Sequence, residues 1–274
     1  MPLSLMSAAR RNRTAVRAAA RALIRADGSG TLTRFHALAG GSGFSSNVSA
    51  DKITVFHKTG SILDARSIAQ HRAGGDRRAG LRAFRCDQRT WYTRRVRFEA
   101  IWHFGRHFVY GAVNAGGMGT EARFGPFCLV IGDPERSSPA GLAVFPSNSA
   151  ARYCSREGVV DDASARNEVV PWPGRADAAT IQRGAEALAT PEPHWPVVLC
   201  SASAYLEAVI APSPALDALS AVRVREAYLE RLEDLEGRLL AGDTLHGADS
   251  HEATAFEALN EWRRTRAIAI ESVG

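Results

Sequence analysis

The chain has 274 residues, of which 45% are apolar and 23% are charged. This is the composition of a globular protein, so it excludes a wholly disordered or fibrous chain. No run of about 18 apolar residues occurs, and the sequence therefore predicts no membrane-spanning helix. The four cysteines lie far apart and form no C-x-x-C pair, so they are interpreted as core thiols rather than as a zinc or disulfide framework.

The charge of the chain is unevenly distributed. Residues up to Gly125 include 21 basic and 7 acidic side chains, a net charge of +14, whereas the remainder has 13 basic and 22 acidic side chains, a net charge of −9. Of the 34 basic residues, only Lys52 and Lys58 are lysine. A basic half of this kind favours an anionic ligand, such as a nucleotide, a nucleic acid or an acidic protein surface.

The first segment, Met1–Asp27, is rich in Arg and Ala and has no acidic residue before Asp27. It lacks an apolar core followed by a cleavage site, so it is not a secretory signal peptide. It resembles an organelle transit peptide and the mobile secretion leader of a bacterial effector, and it is interpreted as disordered or as a loosely docked helix. The alternative is an ordinary amphipathic helix whose apolar positions, Val16, Leu23 and Ile24, face the body of the protein.

The next segment, Gly28–Ser49, is rich in Gly and Ser and is predicted to be a linker. The sequence therefore predicts two parts: a mobile leader and linker over residues 1–47, and a folded domain over residues 48–274. On this interpretation, residues 1–47 can be deleted without loss of the folded core.

Short apolar or β-branched runs between Gly and Pro turns predict a strand-rich body. The predicted strands are Ile53–His57, Phe108–Val113, Phe127–Ile131, Leu142–Phe145, Glu168–Val170, Val197–Cys200 and Tyr205–Ile210. A helix capped by Ser61 is predicted to run through Gln70. The basic segment Arg72–Arg97, in which aromatic residues are interleaved, is predicted to be irregular. No further helical periodicity is recognised before Pro214.

Residues 213–270 are predicted to form a helical hairpin that packs on this body. Ser213 is the predicted N-cap of the first helix, with Pro214 at the first helical position. The apolar positions of that helix are Tyr228, Leu232, Leu235 and Leu239. A second helix is predicted to begin near Asp249, and its apolar face comprises Phe256, Leu259 and Trp262. The predicted fold class is α+β.

Two common ligand motifs are missing or lack their structural context. The sequence has no G-x-x-x-x-G-K-[ST] phosphate loop, and the glycine-rich residues 40–43 do not follow a predicted strand. His103 and His107 are four residues apart, but they lack the glutamate of H-E-x-x-H and Gly105 lies between them. The sequence therefore predicts no metal site.

The predicted strand Tyr205–Ile210 carries a candidate catalytic carboxylate. Alternation of side chains puts Leu206, Ala208 and Ile210 on one face, which is the core face, and Glu207 on the other. The alternative, a solvated glutamate on an edge strand, is open at this point.

The order of short motifs along the chain resembles that of an ADP-ribosyltransferase. The motifs are F-H at Phe56-His57, Y-G-A-V-N at Tyr110–Asn114, R-F-G at Arg123–Gly125 and E-A at Glu207-Ala208. These motifs resemble those of a poorly characterised bacterial domain family. In size and layout the chain is closest to the CteC-type family of bacterial effectors, whose members modify a threonine of host ubiquitin, and the resemblance covers roughly Asp51 to Ala211. Two positions depart from related patterns. Ala211 stands where a histidine follows the catalytic glutamate, and Tyr205 stands where arginine-specific transferases carry a second acidic or amide group.

The resemblance implies a β-sandwich core with peripheral helices and the use of NAD as the donor of ADP-ribose. It implies that Glu207 is the catalytic residue. It assigns contacts with NAD to His57, Lys58, Thr59, Tyr110, Asn114, Arg123, Ser147 and Ser149.

Roles follow from the same resemblance. His57 positions the nicotinamide end of NAD, and Tyr110 stacks on the nicotinamide ring. Arg123 and Lys58 offset the charge of the pyrophosphate. The two serines of the set support the catalytic carboxylate by hydrogen bonding.

The implied function is that of a mono-ADP-ribosyltransferase, secreted by a bacterium into the host cytoplasm, with host ubiquitin as the protein acceptor. One alternative is a nucleic-acid-binding module built on Arg72–Arg97, because Phe84, Trp91 and Tyr92 lie among its basic residues. The basic residues of this segment alternate with acids and glycines instead of forming one helical stripe, which argues against nucleic acid as a partner. Another alternative is a transferase fold without activity that binds a partner.

Overall fold

Helices and one β-sheet together make up an α+β fold, as the sequence predicts. The computed structural model describes residues 4–137 and 141–274. The strands in the described residues are β1 (Gly43–Val48), β2 (Val109–Asn114), β3 (Phe127–Ile131), β4 (Leu142–Phe145), β5 (Val170–Pro171), β6 (Glu207–Ile210), β7 (Ala221–Arg225) and β8 (Ala269–Val273). They form a single open sheet in the order β5-β4-β6-β2-β1-β3-β7-β8.

Helices surround this sheet. They are α1 (Leu5–Ala26), α2 (Thr31–Gly40), α3 (Ala50–Thr59), α4 (Ala65–Arg72), α5 (Arg77–Gln88), α6 (Tyr92–Ala100), α7 (Glu121–Phe124), α8 (Pro134–Ser137), α9 (Ser149–Tyr153), α10 (Asp162–Glu168), α11 (Arg175–Ala189), α12 (Trp195–Leu199), α13 (Glu226–Leu240) and α14 (Gly247–Arg266). Every residue of β3 and of β4 is buried. Because both faces of these two strands are covered, they consist of continuous apolar runs rather than alternating ones.

Antiparallel pairing puts β6 in the interior of the sheet. It pairs with β2 on one side and β4 on the other, so Glu207 lies opposite both Ala112 and Phe145. The pair β7 and β8 at one end is parallel. The predictions of β2, β3, β4 and β6 are confirmed within one or two residues at each end.

Two predicted strands are wrong. Ile53–His57 lies inside α3, which begins after Ser49 and ends at Thr59. It is followed by Gly60, whose φ of 69° suits a helix terminus. The side chains of Ile53 and Phe56 are both buried there, and their three-residue spacing fits a helix, so packing outweighs the strand preference of β-branched residues. Val197–Cys200 falls largely in α12, which has a proline in its first turn.

Other predicted boundaries also need correction. The predicted strand Glu168–Val170 contains the last residue of α10 and the first residue of β5. The helix predicted to follow Ser61 begins only at α4, where the side chain of Asp64 accepts hydrogen bonds from the amides of Arg66 and Ser67. Sequence analysis also missed α11, a 15-residue helix.

The predicted linker, Gly28–Ser49, is wrong, because it contains α2 and β1. Strand β1 pairs with β2 and β3 and so lies inside the sheet. Its sequence, G-F-S-S-N-V, has polar residues that stay buried: Ser45 and Asn47. The predicted boundary between residues 47 and 48 therefore falls inside a strand whose two partners both belong to the predicted domain.

The arginine-rich leader forms α1, which begins at the N-cap Ser4. The amphipathic alternative is the one that the structure shows, and Val16 packs against the core as expected, although the rest of the apolar face differs from the expected one. Leu5, Ala8, Ala9 and Ala20 are buried, whereas Leu23 is exposed. This face packs against α10, α11 and β5, so α1 is part of the folded body.

The segment Arg72–Arg97 is helical rather than irregular. It contains α5 and most of α6, and α5 is capped by the side chain of Asp76. Exposed arginines recur along α5 at Arg78, Arg82 and Arg85, a spacing of four and three residues that puts them on one face. The prediction that the basic residues of this segment form no helical stripe is therefore wrong, and it no longer argues against nucleic acid as a partner.

The C-terminal helical hairpin is present as α13 and α14, with a later start than predicted. Ser213 and Pro214 precede β7, and α13 begins at Glu226. Leu232 and Leu235 are buried as predicted. The predicted apolar face of α14 is also buried: Phe256, Leu259 and Trp262. Sequence analysis missed β7 and β8. Among the described residues, no helix is long and apolar enough to cross a bilayer.

Deletion of residues 1–47 is expected to prevent folding, because it removes α1, α2 and nearly all of β1, which joins β2 to β3. Circular dichroism and thermal unfolding of the 48–274 fragment measure this. A cooperative transition close to that of the full chain would show that β1 is dispensable.

Leu235→Ala is expected to lower the free energy of unfolding by about 2–4 kcal/mol, because it leaves a cavity between α13 and its neighbours. Leu235 is 2% exposed, whereas Leu240 in the same helix is 85% exposed. Leu240→Ala is the matched control and should change stability by less than about 0.5 kcal/mol. Equal effects of the two substitutions in chemical denaturation would contradict the docking of α13.

Candidate functional site

A cavity of about 930 Å³ lies where β1, β2 and β6 meet the helices α3 to α6. Glu207 and Tyr110 line it from the sheet, and Arg95 and Trp91 line it from the α6 region. Arg123 lines it from the segment before β3. Three of the residues selected from the sequence, Glu207, Tyr110 and Arg123, therefore share one cavity.

Glu207 is buried, with 5% of its surface exposed. Its strand, β6, is hydrogen bonded on both sides. The alternative of a solvated glutamate on an edge strand is therefore wrong. The side-chain alternation in the sequence correctly separated Glu207 from the core face of Leu206 and Ala208, and the face on which Glu207 lies is the one that adjoins the cavity.

Ser149 holds the carboxylate of Glu207. Its backbone N–H donates a hydrogen bond of 2.9 Å to Glu207 Oε2, and its hydroxyl donates a second bond to the same oxygen. Ser149 is the first residue of α9, whose N-cap is Asn148. The Asn148 side chain accepts a hydrogen bond from the Ala151 amide, which fixes the turn and so aims both donors of Ser149 at Glu207.

The environment of Glu207 raises the pKa of its carboxyl group toward neutral pH. Burial raises the pKa of Glu207 from 4.5 to about 7, although the hydrogen bonds from Ser149 and the charges of Arg95 and Arg123 act in the opposite direction. Both protonation states are then populated near neutral pH, so Glu207 can exchange a proton there. A cationic ligand in the cavity would favour the ionised form.

A buried ionic network forms the wall next to Glu207. Arg95 Nε donates to Glu99 Oε1 at 3.0 Å, and the Tyr110 hydroxyl donates to the same oxygen at 3.3 Å. Arg66 pairs with the other oxygen of Glu99. The guanidinium of Arg95 also lies over the Tyr110 ring, 3.9 Å from its centroid. That face of the ring is therefore covered and is not open to a ligand.

Sequence analysis missed Arg95 and Glu99 because Arg72–Arg97 was not recognised as helical. Their four-residue spacing is the signal that would have paired them on one helix face. It also missed Lys52, which lines the cavity and whose pKa is lowered by burial and by the charge of Arg95. Tyr205, noted only as a departure from a related pattern, lines the cavity too, and its hydroxyl accepts a hydrogen bond of 3.0 Å from Asn148.

His57 and Lys58 do not reach this cavity. They line a second cavity, of about 600 Å³, between α3 and the pair α13 and α14. Trp262 Nε1 donates a hydrogen bond of 3.0 Å to His57 Nδ1, and Glu261 lies 3.6 Å from His57 Nε2. Because Ile53–His57 is helical, His57 lies about 100° around α3 from Phe56, and only Phe56 lines the larger cavity.

Three further predicted contacts do not line the Glu207 cavity. The hydroxyl of Thr59 donates to the backbone oxygen of Val55 at 2.9 Å. Asn114 is buried, and its amide nitrogen donates to Ser45 Oγ and to the Gly117 carbonyl, which holds the turn after β2. Ser147 is half-buried and is not among the residues that line the Glu207 cavity.

Part of the Y-G-A-V-N motif is explained by strand packing. A Cβ atom at Gly111 would overlap the backbone oxygen of Ser45 and the ring of Phe44. Glycine is therefore required for the close approach of β1 to β2. In this motif, only Tyr110 and Gly111 adjoin the cavity.

The chemistry of the site is that of a carboxylate in a cationic and aromatic cavity. Within residues 4–137 and 141–274, no three His, Cys, Asp or Glu side chains lie together in a way that could hold a metal ion. Cys86 lines the cavity and is exposed, and the other three cysteines are free and buried.

The sequence matches no family model and no curated protein. The likeness to ADP-ribosyltransferases therefore rests on the motifs in the sequence.

Ser149→Ala is expected to raise the pKa of Glu207 above its value of about 7, because it removes the hydroxyl donor and leaves only the backbone N–H. NMR titration of ¹³C-labelled glutamate carboxyl groups measures the shift. Ser147→Ala is the matched control, since Ser147 makes no recorded bond to Glu207. An unchanged titration in Ser149→Ala would show that the hydroxyl does not hold the carboxylate.

The raised pKa of Glu207 also determines how the free energy of unfolding depends on pH. The folded protein keeps a proton on Glu207 that the unfolded chain loses between pH 4.5 and about 7. The stabilisation from this group is therefore present at low pH, falls as pH rises through that window, and is constant above it. Ser149→Ala should extend the window to higher pH.

Proposed function

We propose that this protein is a mono-ADP-ribosyltransferase that uses NAD, with Glu207 as the catalytic residue. The observation that supports it is the buried carboxylate of Glu207, which is fixed by two hydrogen bonds from Ser149 and faces a cavity of about 930 Å³. A volume of this size is within the usual range for pockets that hold cofactors and small molecules.

The reaction breaks the bond between nicotinamide and ribose. Positive charge develops on the ribose as nicotinamide leaves, and an anion fixed beside it is stabilising only when that charge appears. Ionised Glu207 would supply this anion. The acceptor hydroxyl then bonds to the ribose carbon and loses its proton, so that nicotinamide and the modified acceptor are the products.

The cavity also carries cations suited to a pyrophosphate. Arg123 and Arg89 both line it and are exposed, and Lys52 lines the same cavity. We therefore propose that Arg123, Arg89 and Lys52 contact the pyrophosphate, and that Lys58, which lines the second cavity, does not. The proposed nicotinamide contact of Tyr110 is limited to the ring face that Arg95 leaves uncovered.

The finer parts of the assignment are carried by the resemblance alone. They are the β-sandwich arrangement of the core, a threonine of host ubiquitin as the acceptor, and secretion by a bacterium into the host cytoplasm. Transfer of label from NAD to proteins in a eukaryotic lysate, followed by mass spectrometry, tests the acceptor without assuming its identity.

Glu207→Gln is expected to fold, to bind NAD, and to lower both transfer and NAD hydrolysis by about a hundredfold to a thousandfold, because it removes the charge that stabilises the ribosyl cation. Single-turnover nicotinamide release at saturating NAD measures the chemical step, and thermal shift checks the fold.

Two controls accompany this variant. Glu168→Gln removes another carboxylate, which pairs with Arg152 outside the cavity, and should leave the rate unchanged. His57→Ala should leave NAD binding unchanged, because His57 lies in the second cavity. Wild-type turnover by Glu207→Gln, or the absence of nicotinamide release from the native protein, would contradict the proposal.

A further inference from the structure

Helix α5 presents a line of arginines to solvent. Arg78, Arg82 and Arg85 are exposed and recur every three or four residues, about 4.5–6 Å apart along the helix axis. Phe84 is buried on the other side of the helix, which packs against α4. Arg89 follows at the helix end and lines the Glu207 cavity. We call these four residues the arginine face.

The charge of the arginine face is not neutralised within the protein. In the part of the chain that the structure describes, none of its four guanidinium groups forms an ion pair. The nearby acids have other roles: the carboxylate of Asp76 caps α5, and that of Asp87 lies 3.5 Å from Arg72. The face therefore offers four positive charges to a ligand.

An exposed aromatic residue lies where the arginine face meets the cavity. Trp91 is 36% exposed, and its ring has the guanidinium of Arg94 at 5.2 Å and that of Arg123 at 5.6 Å from its centroid. Phe124, which is 42% exposed, lies under Arg123 as well. Both aromatic residues line the cavity.

We propose that the arginine face and Trp91 bind a single-stranded nucleic acid, with phosphates on the arginines and an unpaired base stacked at Trp91. A row of cations that leads to an exposed ring is the combination used by proteins that bind single strands. An acidic protein segment would use the arginines but would not require the ring. A duplex would leave no base free to stack. This inference is independent of the catalytic role of Glu207.

The chain supplies a control of the same charge. Arg17 and Arg21 in α1 are exposed, have the same four-residue spacing as Arg78 and Arg82, and form no ion pair in the described residues. Helix α1 packs on α10 and α11 rather than beside the cavity. None of the ring contacts of the described residues involves these two arginines. Arg17 and Arg21 are therefore a basic surface of matched charge that has no aromatic residue on which a base could stack.

The test measures binding of a fluorescein-labelled oligo(dT) of about 15 nucleotides to the full chain by anisotropy, between about 50 and 200 mM salt. Arg78→Ser with Arg82→Ser should weaken binding by about tenfold and reduce the salt slope by about 1.4, the value for two phosphates of a single strand. Arg17→Ser with Arg21→Ser should change the affinity by less than about twofold.

A second variant separates stacking from charge. Trp91→Ala should weaken binding by at least about fivefold, the lower limit for loss of one stacked base, with the salt slope unchanged, and Trp91→Phe should restore most of the affinity. Thermal shift checks that each variant is folded. Because no NAD is present, the result does not depend on the proposed transferase activity.

The outcomes that would overturn the proposal are specific. Equal losses for the α5 and α1 double variants would show general attraction of a basic protein for a polyanion. Unchanged binding by Trp91→Ala would remove the stacking role. Competition by poly-L-glutamate as effective as that by unlabelled oligo(dT) would indicate an acidic protein partner, and equal binding of a duplex would exclude recognition of an unpaired base.

Discussion

Burying a carboxylate in the interior of a sheet costs free energy unless polar groups surround it. Glu207 meets this condition through one residue, because both of the hydrogen bonds recorded for its carboxylate come from Ser149. The donor and the acceptor are brought together by neighbouring strands. Phe145, at the end of β4, lies opposite Glu207 on β6, and the chain turns back at Asn148 so that Ser149 follows four residues later. The position of the carboxylate therefore depends on the pairing of β4 with β6.

The two buried glutamates of this region differ in how their charge is balanced. Glu99 pairs directly with Arg66 and Arg95, so its charge is neutralised by the protein. Among the described residues, Glu207 has no ion pair, and Arg95 and Arg123 act on it only through longer-range charge. A carboxylate that is already paired has little to gain from a cationic ligand, whereas an unpaired one has much to gain. This difference favours Glu207 over Glu99 as the group that acts on a developing positive charge.

The sequence predicted those elements in which local preference and burial agree. Strands β3 and β4 are continuous apolar runs, and alternation around Glu207 identified its face correctly. The misplaced elements are those in which the two disagree. The β-branched run at Ile53 is helical because its apolar residues meet the core with helical spacing, and this moves His57 away from the cavity. The polar strand β1 is inside the sheet because Asn47 and Ser45 find buried partners: the amide of Asn47 donates to the Met118 carbonyl, and the hydroxyl of Ser45 accepts from Asn114. No pattern of apolar residues could reveal those pairs.

Arg89 connects the surface of α5 to the cavity. It has a φ of 46° and a ψ of −121°, and a non-glycine residue in such a conformation costs on the order of 1–3 kcal/mol. Its amide still bonds to the Arg85 carbonyl, which ends α5, and the reversed backbone lets the 3₁₀ turn at Trp91 begin immediately. With Arg89 in the α-helical conformation, α5 would continue instead of ending at Gln88, and the turn that contains Trp91 would not begin there. The strain is therefore the local cost of placing a cation and an aromatic ring together at the mouth of the cavity that contains Glu207.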